Sequence, residues 1–135
     1  MLKRIAVMLL LIILTLALIS CSSDPEPVDP PLEGEITDLA SEFIDNLVKE
    51  DYSAAAAFFD AQMKKAMSEK KLKQTWEGLL KQMGAYVGEV DKRVEQSGEY
   101  EAVNVISEYT SDPLNIRVVF NSDKRVSGLW FQPVE

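Results

Sequence analysis

At Gly84 the spacing of apolar residues changes from threes and fours to twos, and that change of period constrains the fold more than any other feature. Upstream, Ile36, Leu39, Ala40, Phe43, Ile44, Leu47 and Val48 recur at helical offsets. Asp51 is placed to cap a second helix, along which Tyr52, Ala55, Ala56, Phe59, Met63, Ala66 and Met67 share a face. Ser68 is placed to cap a third, with Leu72, Trp76, Leu79, Leu80 and Met83 inward and Gly84 as its stop. Downstream, Tyr86, Val90 and Val94 alternate with charged residues, Ser97-Gly98 supplies a turn, and a second strand runs from about Tyr100 to Tyr109. Ser111-Asp112-Pro113 ends it, after which Leu114, Ile116, Val118 and Phe120 alternate with Asn115, Arg117, Val119 and Asn121. The order predicts an α+β domain: three N-terminal helices packed on a curved antiparallel sheet of about four strands. The 100 residues from Ile36 to Glu135 suffice for one core and are too few for two.

The last hairpin decides which side chains reach that core. With Ser122, Asp123 and Lys124 in a type I turn followed by a bulge, Asn121 opposes Arg125 and Phe120 lies beside Val126. Lys124 then takes the left-handed position that glycine normally fills. Strict alternation from there sets Val118 opposite Gly128 and Ile116 beside Trp130. Trp130 would face inward, and Val119, Leu129 and Phe131 would face outward together.

Before residue 36 the chain reads as an address. Lys3 and Arg4 precede an apolar run from Ile5 to Ile19 broken by Thr15 alone, the length of a secretory signal's core. A membrane span needs roughly 20 apolar residues, so this run is short for one. It ends in Leu18-Ile19-Ser20-Cys21, which resembles the bacterial lipoprotein motif. The resemblance implies a signal peptide over residues 1–20, diacylglycerol on the Cys21 thiol, and an exported protein anchored to the cell membrane by lipid. An uncleaved signal anchor is the alternative. Several acyl chains together make such anchoring stable, where a single chain binds only marginally. Residues 21–35 follow as a lipidated cysteine and linker, Ser22 to Glu35 holding four of the six prolines and five acidic residues. Such a segment favours an extended conformation, at about 3.1 Å per residue.

The chemistry open to the domain is narrow. The chain has no histidine, which removes Ser-His-Asp and Cys-His catalysis and the commonest transition-metal ligand. Its single cysteine is Cys21, so no disulfide is expected, and no metal site or cofactor is predicted. Removal of Lys3 and Arg4 with the signal leaves 12 basic against 22 acidic residues, a net side-chain charge of −10. That sign argues against nucleic acid, whose phosphates call for a basic surface. Lysines 64, 65, 70, 71 and 73 form a local basic ridge, read either as a solvated helix surface or as a docking site for an acidic partner or lipid. Tyr86, Asn104, Tyr109 and Arg117 lie on strands from which one could serve acid–base chemistry in a hydrophobic cone, but no carboxylate falls on an inward stripe.

The segments FIDNLVKEDYSAAAAFFDAQMKKAM, LKQTWEGLLKQMGAY and LNIRVVFNSDKRVSGLWFQPV resemble the bacterial and archaeal family known as domain of unknown function 3887. The likeness rests on positions such as Tyr52, Phe59, Trp76, Gly84, Phe120 and Gly128. It implies a cystatin-like fold shared with nuclear-transport-factor-2-like proteins, a cone of helices against a bent sheet with a pocket between. That family also occurs fused ahead of α/β-hydrolase domains, an activity not carried over to this chain.

The expectation is therefore a membrane-tethered, non-enzymatic binding or protein-interaction module. Its cone would be lined by Phe59, Trp76, Tyr86, Ile116 and Trp130. Its partner would be a small apolar ligand or an envelope protein, with a homodimer through Val119, Leu129 and Phe131 as a further possibility. The alternatives are a small acid–base enzyme or an accessory domain to a separate hydrolase. One prediction tests the address directly: in the native host, Cys21→Ala should abolish lipidation and lower the membrane-bound fraction. Wild-type protein without added lipid mass on Cys21 would refute it.

Overall fold

The computed structural model describes residues 29–135. The signal, Cys21 and the first part of the proline-rich segment lie outside the described residues. Among the described residues four helices precede the sheet: α1 (Ile36–Val48), α2 (Tyr52–Ala56), α3 (Ala61–Ala66) and α4 (Glu69–Met83). A four-stranded antiparallel meander follows, β1 (Tyr86–Ser97), β2 (Tyr100–Tyr109), β3 (Leu114–Phe120) and β4 (Val126–Pro133), in the order β1-β2-β3-β4. The architecture is α+β and cone-like, with helices on one face of an open sheet. Among the described residues no helix is long and apolar enough to cross a membrane.

The expected second helix is two. Asp51 caps α2 by accepting from the Ala54 N–H at 3.1 Å, but the helix stops at Ala56. From Phe58 to Asp60 the backbone runs beside the start of β4. The Val126 N–H donates to the Phe58 carbonyl at 2.8 Å, and the Asp60 N–H donates to the Val126 carbonyl at 2.9 Å. Asp60 then caps α3 through the Met63 N–H at 2.7 Å. Phe59 and Met63 stay buried, so the break preserves the apolar stripe that suggested one continuous helix.

Ser68 caps α4 as expected, and Gly84 ends it at φ 83. A Cβ on Gly84 would lie 1.8 Å from the Thr110 Oγ1, which accepts from the Ala85 N–H. Only glycine permits that approach, and it pins the helix-to-strand junction to the β2–β3 turn.

The β3–β4 turn forms as the sequence suggests. Lys124 sits at φ 57, and Asn121 donates its backbone N–H to the Arg125 carbonyl. The Asn121 side chain accepts from the Asp123 and Arg125 N–H groups, which holds the turn. Phe120 opposes Val126, but a bulge follows, so Val119 opposes Gly128, Val118 opposes Leu129, Arg117 opposes Trp130 and Ile116 opposes Phe131. The one-residue insertion reverses the faces of β4 beyond Ser127. Leu129 and Phe131 therefore point to the helices and pack on the core, and Trp130, expected in the cone, points away from it. Bulges in β1 likewise turn Val90 out of the expected inward stripe, leaving it exposed.

The proline-rich segment expected as linker up to Glu35 is held to the domain from Asp29 onward. The buried Arg125 guanidinium donates twice to the Pro30 carbonyl, at 3.0 and 2.6 Å, and once to the Ala57 carbonyl at 2.5 Å. Leu32 packs on the core while its N–H donates to the Asp123 carbonyl at 2.9 Å. Lys124 Nζ donates to the Gly34 carbonyl at 2.6 Å, and Lys64 pairs with Asp29.

The two tryptophans should separate cleanly on truncation. Trp76 is 1% exposed and Trp130 is 50% exposed. In urea unfolding, Trp76→Ala is expected to cost about 3–5 kcal/mol, the range for deleting a core aromatic. Trp130→Ala should cost less than about 1 kcal/mol, as surface changes do. The reverse ranking would show that β4 adopts the uninterrupted register instead.

Candidate functional site

The interior of the cone is built by α1, α4 and the helix-facing residues of the sheet. Phe59, Trp76 and Ile116 are there, fully buried, as the sequence led one to expect. Tyr86 is half-buried at the edge of an aromatic cluster, its ring 6.1 Å from Trp76 and 5.4 Å edge-on from Tyr109. Phe131 occupies the place expected of Trp130, 6.3 Å from Trp76. Side chains thus fill the cone where a pocket was expected.

Three polar atoms in this cluster, Trp76 Nε1, Ser107 Oγ and the Tyr109 hydroxyl, are buried without an aligned protein partner. Burial pushes the Tyr109 hydroxyl's pKa well up, with Tyr86 adding to it. Burial also raises Tyr86, partly offset by the nearby Ser107 hydroxyl, with Glu89 and Asp45 adding to the rise. The buried polar residues among those described are Asn104, Ser107 and Arg125, and none is a carboxylate.

Among the described residues nothing covers the opposite face of the sheet, and it holds the more developed site. Alternation along β2 and β3 brings Ala102, Asn104 and Ile106 beside Asn115, Arg117 and Val119, and the bulge adds Trp130 and Gln132. Asn104, Ile106, Asn115, Arg117 and Gln132 border an open groove of about 810 Å³ that runs from Val90 to Glu135. A smaller recess of about 280 Å³ adjoins it, walled by Tyr100, Ala102, Val119 and Trp130. Asn104 Oδ1 accepts from Asn115 Nδ2 and from Arg117 Nη1, both at 3.1 Å, and the Arg117 guanidinium also pairs with Glu95. The Arg117 guanidinium, helped by the Asn104 amide, holds the Glu95 carboxyl below its usual range. Arg93 pairs with Asp91 at 2.9 Å on the groove's rim.

Trp130 lies back over Gly128, where a Cβ would come within 2.3 Å of its ring. Absence of that Cβ gives the indole a flat backing while half its surface stays in solvent. Of the residues expected at an interface, Val119 belongs to this face; Leu129 and Phe131 do not. Asn104 and Arg117, considered for the cone, are on this outer face, while Tyr86 and Tyr109 are on the cone side. The polar outer stripe of β2 and β3 was visible in the alternation as the complement of the buried one. Nothing local signalled that Trp130 would join it.

Among the described residues no group of three metal-ligating side chains forms. Residues 40–129 match the family described as "Protein of unknown function (DUF3887)". No curated protein and no solved structure matches the chain.

A sealed cone has a signature in alkali. Native Tyr86 and Tyr109 titrate above the ordinary 10.0, so their contribution to stability is complete below that value and is lost as pH rises through the raised native ones. Absorbance titration should show the Tyr86 and Tyr109 phenols, together with that of Tyr52, which burial also raises, still protonated at pH 10 and ionising with unfolding. Tyr109→Phe should remove one of them. Free ionisation of all tyrosines in the folded protein near pH 10 would mean that the cone is open to solvent.

Proposed function

This chain belongs to the DUF3887 family, and on that premise we propose that it is an exported lipoprotein, anchored through Cys21, whose domain is a non-enzymatic protein-interaction module. The observation that carries the reading is the uncovered outer sheet face, where Trp130 and Tyr100 stand half-exposed beside Arg117. Tryptophan, tyrosine and arginine are the residues enriched where protein interfaces concentrate their binding energy. The groove is broad and open, a shape that suits another protein's surface better than a small molecule, which is normally enclosed.

The partner proposed is another envelope protein. A homodimer through Val119, Leu129 and Phe131 loses two of its three apolar contacts, because Leu129 and Phe131 face the core. The acidic balance of the chain also sets copies against each other electrostatically. Against an enzyme stand the lack of histidine and of any buried carboxylate among the described residues, together with tyrosines that burial keeps protonated.

The test is site-specific photocrosslinking in the native host. A photoreactive residue at Gln132, on the outer face, should give a discrete adduct that is lost on Arg117→Glu. The same group at Glu42, exposed on α1, should give none. An adduct of twice the monomer mass would make the partner a second copy. No adduct at Gln132, or equal adducts at both positions, would overturn the interaction reading, and turnover of a substrate abolished by Tyr86→Phe would replace it with the enzymatic one.

A further inference from the structure

The two edges of the sheet are defended differently. β1, at one edge, carries five charged residues among its twelve, Glu89, Asp91, Lys92, Arg93 and Glu95, and two irregularities in its pairing with β2. Charges and bulges of that kind keep an edge strand from pairing with another chain. β4, at the other edge, reads Val-Ser-Gly-Leu-Trp-Phe-Gln-Pro and carries no charge. Its free side is already used once: the Val126 N–H and C=O both point away from β3, where they bond to Phe58 and Asp60. Side-chain direction and hydrogen-bond direction reverse together from one strand residue to the next. Along β4, as Val126 shows, the residues facing the helices are therefore the ones whose backbone groups point off the sheet. Leu129 and Phe131 share that face beyond the bulge, so their N–H and C=O groups are directed outward, about 6.8 Å apart at the rise of an antiparallel strand. Among the described residues neither forms a backbone hydrogen bond outside the sheet. Phe58–Asp60 closes this row at one end, and Pro133, which has no N–H, closes it at the other.

We propose that the open window from Leu129 to Phe131 is a strand-addition site, which takes a short extended segment of a partner protein as a fifth strand beside β4. The inference deepens the interaction reading above and rests on it, since Trp130, between the two open residues, belongs to the outer face. A helix has spent its backbone groups internally, so an extended backbone is what can meet a row of donors and acceptors at this spacing. Side chains of the added segment alternate between the partly buried Leu129 and Phe131 on one face and the half-exposed indole on the other. Both neighbourhoods are apolar, so the centre of the segment is apolar too. The chain carries a net charge of −8, which favours lysine or arginine on the segment's flanks and disfavours a second copy as its source.

Two measurements on the full-length protein test this. Hydrogen exchange resolved to single amides, on the protein purified alone, should find Leu129 and Phe131 exchanging at least about tenfold faster than Trp130 and Gln132, whose N–H groups face β3. Comparable protection of all four would mean that the edge is closed and would overturn the site. In the native host, the adduct captured by a photoreactive residue at Gln132 should survive Leu129→Ala but fall at least about fivefold with Leu129→Pro, which removes the outward N–H and spares the bonds to β3. The two variants lose the same side chain, and circular dichroism checks that both fold; Phe131→Ala and Phe131→Pro repeat the comparison where Leu129→Pro does not. An adduct equally strong in the alanine and proline variants would overturn strand addition and leave the interaction reading standing. No adduct in the wild type would overturn that reading, and the strand site with it. Sequencing of the crosslinked peptide should give an apolar stretch flanked by lysine or arginine; an acidic stretch, or β4 of a second copy, would overturn the occupant proposed.

Discussion

The backbone of Val126 is the point on which the rest of the molecule turns. It is bonded on one side to Phe58 and Asp60 and faces Phe120 on the other, so the start of β4 is fixed between the helices and β3. One of these contacts ends the helical run after α2 and creates the α3 cap. The next step along the strand is the bulge that sends Leu129 and Phe131 inward. Burying those two side chains removes more apolar surface from water than burying Trp130 alone would. Full burial of a large apolar side chain is worth about 1.5–3 kcal/mol, and the bulged register gains a share of that from each of these two partly buried residues. Trp130 is left outside, with Gly128 as its backing.

This arrangement separates two roles that a cone-shaped fold could have combined. The interior is closed by a contiguous aromatic cluster of Trp76, Tyr86, Tyr109 and Phe131, and it serves cohesion. The outer face takes the polar network of Arg117, Asn104, Asn115 and Glu95 together with the exposed indole. In a domain with no disulfide among its described residues, packing supplies the stability, which is why the largest side chains are drawn into the interior.

Arg125 extends the same logic toward the N-terminus. Its guanidinium is buried, and it satisfies two carbonyl groups, those of Pro30 and Ala57, that have no part in helix or sheet. A charge-assisted contact of this kind fixes Pro30 against the β3–β4 turn and the end of α2.

Much of this was legible in the sequence because it is local. The helical spacing of Ile36 to Val48, the caps at Asp51 and Ser68, the stop at Gly84, the inward row of β3 and the left-handed Lys124 each depend on residues within a turn or two of one another. The α+β class follows from their order. The break between α2 and α3 and the faces of β4 were settled by tertiary structure, for one reason. Both depend on Val126 pairing with Phe59, which lies 67 positions earlier and leaves no mark on the spacing of either segment. A period of two carries no memory of an inserted residue: one bulge exchanges Trp130 for Leu129 and Phe131, and only the competition for buried area across the whole cone decides that it occurs.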